Sequence, residues 1–320
     1  MRRPRSERIP VGSAGIWHIT SRCVRRERLL EGPGARAWLS ESIAAWLDVL
    51  AVDLLGYALM GNHIHLILRT RPDVSRAWTV AEVRRRWAAH LAVTDGRPAA
   101  VGAVPASGPW VAGDSRRARA ELCHPGPLLK AVKEGFARRL NRQTGAAGHV
   151  WEGRYHDVAL IDAGGVLAAL VYVDLNPLRA GLAATPGESA FCSARHRRSF
   201  DAAAEDAALG RRLQVLNGHP LLGADGQEQG SWSWTSAQLA DLTEATARAL
   251  RKPDVGLPPW AEDLLPRLGI RRSAWAEGMA IGGTLTGNVL GSWKSRRRAN
   301  PDGRMASDKS GWFAGEGVGS

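Results

Sequence analysis

Cysteine is nearly missing from this 320-residue chain: Cys23, Cys123 and Cys192 are the whole set. Three is an odd number, and no two stand at the spacing of a zinc site. Neither a disulfide framework nor a zinc ribbon is expected, and the thiols read as reduced ones in a cytoplasmic protein. Long apolar runs are missing too. No stretch reaches the roughly 20 residues of a membrane span, and the basic N-terminus lacks the apolar segment of a signal peptide, so no membrane partner is expected. Acidic residues are few, 31 Asp and Glu against 43 Lys and Arg, for a formal charge of +12. Such a surface suits a polyanion, and nucleic acid is the natural one. Tyrosine is the scarcest aromatic, with only Tyr57, Tyr155 and Tyr172.

What is present centres on Gly56 to Thr70. Two apolar runs flank Gly61-Asn62, which suits a two-residue hairpin turn because both residues tolerate positive φ. The second run alternates, with His63, His65, Ile67 and Arg69 on one face and Ile64, Leu66 and Leu68 on the other. A His-Ile-His triplet on a strand sets two imidazoles side by side, which is half of a divalent-metal site. A strand histidine is more often a partly buried, hydrogen-bonded side chain. What favours metal lies farther along, between Val171 and Leu182.

Residues 1 to 13 form a basic arm with Arg2, Arg3, Arg5 and Arg8. Ile16 to Val24 reads as a strand, followed at once by Arg25, Arg26 and Arg28. Helices are expected over Ala35 to Val52, Thr79 to Leu91 (with Thr79 and Glu82 as a capping box) and Leu128 to Arg142. Residues 94 to 127 read as a long loop within an insertion spanning 71 to 127. Gly148 to Ile161 contains Trp151, Tyr155 and the alternating His156 to Ile161 and reads as a strand that includes Tyr155. Asp162 can cap a short helix from about Gly164 to Leu175, ended by Pro177. The order strand, helix, strand, strand, helix, strand is the ferredoxin-like βαββαβ pattern of an α+β protein, here with an additional helix carrying Tyr172. A domain over 14 to 190 is expected, then a mostly helical C-terminal extension over 195 to 293. Within it, helices are expected over Trp232 to Leu250 and Pro258 to Trp275. A frayed basic tail over 294 to 320 would end the chain.

Tyr172 and Asn176 are four residues apart and share a helix face. Were that face to lie over the histidine strand, two imidazoles and the Asn176 oxygen would make a three-ligand metal site with Tyr172 beside it. A phenol is unreactive at neutral pH, but a cation polarising a phosphate makes its attack feasible. Tyr57 and Tyr155 read instead as packing residues with a wet hydroxyl.

Gly61 to Leu68, Trp151-Glu152-Gly153-Arg154-Tyr155 and the run Tyr172 to Leu182 with Asn176-Pro177 and Arg179-Ala180-Gly181 together resemble the single-tyrosine HUH transposases. More closely they are similar to the REP-associated tyrosine transposases, with His18 to Arg22 fitting that family's first strand. The resemblance spans residues 14 to 185. It implies a DNA endonuclease and strand transferase acting on single-stranded or hairpin DNA through a 5′-phosphotyrosine. It also implies a divalent metal, Mg2+ or Mn2+, on His63 and His65, with Asn176 at the variable third position and Tyr172 as nucleophile. Gly61-Asn62 departs from the family's usual Pro-Asn or Ser-Asn. Whether Tyr172 acts within its own chain or on a homodimer partner stays open.

Candidate DNA contacts are Arg22, Arg25, Lys133, Arg138, Arg142, Arg154 and Arg179. Three other readings compete: a replication-initiator or relaxase-like nickase, a catalytically silent domesticated binder of structured DNA, and an RNA-binding ferredoxin-like domain. The last would want exposed aromatics on its central strands.

Overall fold

The computed structural model describes residues 9–106, 113–214, 220–222, 228–231, 234–252, 256–273, 275, 279 and 289–290. The arginines of the basic arm and the tail lie outside these residues. Four strands build the centre: β1 (Gly15–Arg22), β2 (Val52–Leu59), β3 (His63–Thr70) and β4 (His156–Leu160). They pair antiparallel in the order β2-β3-β1-β4, and a two-residue strand, β5 (Val289–Leu290), runs parallel to β4.

The helices divide between the two faces as the strand alternation requires. α1 (Ala35–Val49), α2 (Val80–Leu91), α3 (Asp114–Leu122) and α4 (Gly126–Thr144) lie in one layer. There Trp38, Ile43, Trp46, Val132 and Phe136 pack on Trp17, Ile19, Ile64, Leu66 and Leu68. The other face carries Ile16, Leu55, Ile67, Val158 and Leu160, and on it lies α5 (Ala163–Asp174), the helix that holds Tyr172. Eleven of its twelve residues are buried, which a helix without a polar side achieves only when covered front and back. The second cover comes from α6 (Ser236–Arg251) and α7 (Pro259–Arg267), whose Leu239, Leu242, Leu264 and Leu265 join the same core. Among the described residues no helix is long and apolar enough to cross a membrane.

Several sequence expectations change in the fold. The turn at Gly61-Asn62 forms, but neither residue takes positive φ. Backbone bonds from outside hold it instead: Cys23 N–H donates to Asn62 O (2.8 Å) and Leu30 N–H to Gly61 O (2.9 Å). At Thr79 only half of the capping box exists. Its hydroxyl accepts from Glu82 N–H, while the Glu82 carboxylate pairs with Arg85 and Arg86. The expected loop 94–127 contains a short ladder of Val93–Thr94 with Arg97–Pro98, and α3. Trp46 Nε1 donates to Gly96 O (2.8 Å) and fastens that ladder to α1. α1 stops at Val49, because Val52 already belongs to β2. Pro177 does not stop the chain's helical course. It sits in the first turn of a second helical turn, Asn176–Arg179, where a missing N–H costs little.

β2 is an edge strand, and the chain covers it. Leu59 N–H donates to Phe191 O, Ala58 bridges to Cys192, and Leu54 bridges to Leu213. Covering an edge removes a row of unpaired backbone groups. All three cysteines are buried and unpaired, and burial pushes the Cys23 and Cys123 thiols up to about 12. Within the wrap, Arg197 Nε donates to Asp174 Oδ2 (2.9 Å) and Arg197 Nη1 to Leu55 O (2.8 Å). Ser193 bonds the second Asp174 oxygen. Both side chains of this ion pair are at most 1% exposed. Gly56 makes room for it, since a Cβ there would meet Arg197 Nη2 and Leu170 Cδ2 at 3.0 Å. The pair therefore ties the end of the Tyr172 helix to β2. Removing one partner strands a buried charge, at a cost of about 3–5 kcal/mol. Arg197→Met alone is expected to lower the melting temperature sharply. Arg197→Met with Asp174→Leu is expected to recover most of the loss, and thermal denaturation of both variants checks it.

Candidate active site

The antiparallel register decides which side chains meet. β1 runs beside β3 with Arg22 opposite His63, Thr20 opposite His65 and His18 opposite Ile67. Period-two alternation puts His18, Thr20, Arg22, His63 and His65 on the α5 face together. The rings of His63 and His65 meet edge to face, 4.7 Å between centroids. His63 Nδ1 lies 2.6 Å from Asn62 Oδ1, an acceptor, so Nδ1 carries the proton and Nε2 keeps its lone pair. His65 Nδ1 lies 2.8 Å from His18 Nε2 and 3.2 Å from Thr20 Oγ1, while His65 Nε2 is buried with no hydrogen-bond partner. Burial, with the Arg22 charge adding to it, lowers the His63 pKa to about 4. Burial first, then neighbouring imidazoles and arginines, pushes His65 well down. Both rings are neutral at pH 7, the form that ligates metal.

The residues present fit a divalent cation in this respect: two neutral imidazoles, each with its Nδ1 engaged, and in His65 an Nε2 that is buried without a hydrogen-bond partner. Among the described residues no three His, Cys, Asp or Glu side chains are grouped to hold a metal. A third protein donor would have to be of another type. Asn176 is buried, and its Nδ2 donates to Tyr172 O (2.9 Å), so Oδ1 is the atom it could offer.

Tyr172 stands edge-on to the same rings, with centroids 5.9 Å from His65 and 6.1 Å from His18. Arg179 lies over its ring, Cζ 5.0 Å from the centroid, and Arg179 Nη1 is buried without a hydrogen-bond partner. A guanidinium so placed is a ready donor for an anionic oxygen. Tyr57 and Tyr155 lie elsewhere. The Tyr57 hydroxyl is not wet, since it is buried and donates to Asp206 Oδ2 (2.8 Å) against the other core. Tyr155 is buried just ahead of β4 rather than within it.

The predicted basic residues separate into two groups. Arg22 ends β1 beside His63, and Glu152 N–H donates to its carbonyl (2.9 Å), which brings the segment of Arg154 alongside. Arg25 and Arg26 follow in left-handed backbone (φ 52° and 59°), both exposed, with Asn62 Nδ2 donating to Arg26 O (3.0 Å). Two adjacent non-glycine residues in that region are costly, and such strain gathers at functional sites. Lys133, Arg138 and Arg142 belong to α4, on the layer opposite the imidazoles. There Lys133 donates to Gly153 O (2.6 Å) and Arg142 pairs with Asp95 (3.0 Å).

Sequence reading missed three side chains. For His18 and Thr20 the signal existed, because they alternate on β1 as His63 and His65 do on β3. For Arg197 there was none.

No family model matches the chain, and neither does any curated protein. Among solved structures, a REP-associated tyrosine transposase bound to a REP hairpin is similar at a TM-score of 0.33 and 14% identity, over 57% of this chain and 77% of that one. A likeness at that score carries no argument, and the chemistry has to be read from the side chains themselves.

Proposed function

We propose that the protein nicks and rejoins single-stranded or hairpin DNA, with Tyr172 as nucleophile. The observation that carries this reading is the phenol ring edge-on to His65 at 5.9 Å, on a sheet face with two neutral imidazoles. The sequence motifs described above support the same reading, as does the antiparallel four-stranded sheet in the order β2-β3-β1-β4. His63, His65 and Asn176 Oδ1 would hold Mg2+ or Mn2+, which when bound supplies Lewis-acid polarisation of a phosphodiester oxygen. Tyr172 Oη forms a bond to phosphorus as the bond to the 3′ oxygen breaks. The phenolic proton is released, and the 3′ oxygen takes one up. The phosphodiester energy is kept in the phosphotyrosine, so attack by a 3′-hydroxyl can rejoin strands without ATP. Arg179 donates to the phosphate, and Arg22 with the Arg25-Arg26 corner and Arg154 guides the strand to it. In this reading Tyr172 serves its own chain's imidazoles, which the cover of α5 by α6 and α7 of the same chain supports.

The test is a denaturing gel of a hairpin oligonucleotide incubated with the protein and Mn2+. Protein joined to the 5′ end of the downstream fragment is expected, and cleavage without an adduct overturns the reading. The basic rim has its own measurement. Arg22→Gln with Arg25→Gln removes two phosphate contacts, so the slope of log affinity against log salt for single-stranded DNA should shrink by about 1.4. An unchanged slope means that the rim does not touch the strand.

A further inference from the structure

We infer that His18 is a positioning residue for His65. It accepts a hydrogen bond from His65 Nδ1–H and so fixes the tautomer whose Nε2 keeps its lone pair as a ligand. This rests on the metal site proposed above.

The geometry behind it is specific. His18 is 3% exposed, its Nε2 lies 2.8 Å from His65 Nδ1, and the two rings stack at 5.0 Å and 15°. Thr20 Oγ1 reaches both nitrogens, at 3.5 and 3.2 Å. Two proton arrangements satisfy the short contact. If His65 Nδ1–H donates, His65 Nε2 keeps its lone pair. If His18 Nε2–H donates, the His65 proton moves to Nε2, and that atom cannot ligate. His18 Nδ1 and His65 Nε2 are both buried and unpartnered, so each arrangement leaves one unmet N–H and one unmet lone pair. Only the first lets a cation satisfy the unmet lone pair. Asn62 Oδ1 does the same for His63 from the turn. The two ligands would then be oriented by partners from different elements, a strand and a turn, as outer partners orient ligating histidines generally.

The wild-type protein with 15N-labelled histidine and Mg2+ gives the first readout, which needs no variant. His65 is expected as the Nδ1–H tautomer, and finding its proton on Nε2 overturns the inference. Calorimetry with Mn2+ and no DNA gives the second. His18→Phe keeps the stacked ring and removes the acceptor, so affinity is expected to fall about 10- to 100-fold. His18→Gln, whose amide oxygen can reach the Nε2 position, is expected to recover most of that loss. A wild type that binds Mn2+ no better than His18→Phe overturns the positioning role while the metal site stands. A wild type that binds no Mn2+ at all overturns the metal site, and this inference with it.

Discussion

Tyr172→Phe is expected to fold and to bind DNA and metal, yet neither to nick DNA nor to carry a covalent adduct. The substitution removes one oxygen. The ring keeps its place between His65, His18 and Arg179, where its edge contacts and the stacked guanidinium do not depend on the hydroxyl. His63 and His65 keep their Nδ1 partners, and Asn176 still donates to the backbone carbonyl of residue 172. Of the groups placed in the mechanism the attacking atom is the one lost, and removing a nucleophile costs at least about a thousandfold in rate. The other two tyrosines are the controls. Tyr57→Phe and Tyr155→Phe should each retain the adduct. Tyr57→Phe should also melt lower, because it deprives buried Asp206 of a donor at a cost of about 1–3 kcal/mol. An adduct persisting in Tyr172→Phe assigns the nucleophile elsewhere. Cleavage by water in that variant makes the protein a metal-dependent nuclease.

His63→Ala carries the second large effect. His63 is half-buried at the strand end, so truncating it disturbs packing less than truncating His65, which is 4% exposed. Loss of an outer partner alone weakens metal sites by about 10- to 100-fold, and loss of a ligand should exceed the upper figure. Calorimetry with Mn2+ is expected to show binding reduced by more than about a hundredfold, and nicking should fall in step. Affinity for single-stranded DNA should stay close to wild type, since it rests on Arg22, Arg25 and their neighbours. If His63→Ala nicks normally, the imidazoles are structural. If it loses DNA binding as well, the strand runs across His63 itself.

Both experiments depend on features that the sequence displayed to different degrees. The period of two along His63 to Thr70 is local information, and it placed the imidazoles on one face and Ile64, Leu66 and Leu68 on the other, as the two cores show. The helix of Tyr172 was legible from its Asp162 cap, whose carboxylate accepts from Gly165 N–H. The basic excess and the scarcity of tyrosine were legible as well. Turn and cap details were less so. Gly61-Asn62 lacks the positive φ and Glu82 the capping bond that their sequence patterns imply, because backbone bonds from Cys23 and Leu30 and arginines on α2 decide their geometry.

Alternation, caps and composition set the main strands and helices, their faces and the charge, but not the ladder of Val93–Thr94 with Arg97–Pro98 or α3. Tertiary structure alone decided what touches what. His18 and His65 are 47 residues apart, and Arg197 and Asp174 are 23 apart on different elements. No periodicity links such positions, because it is the strand register and the wrap along β2 that bring them together. The same holds for the basic residues. Lys133 and Arg142 look no different from Arg22 in sequence, yet α4 packs on the far face of the sheet, and only Arg22 ends its strand opposite His63.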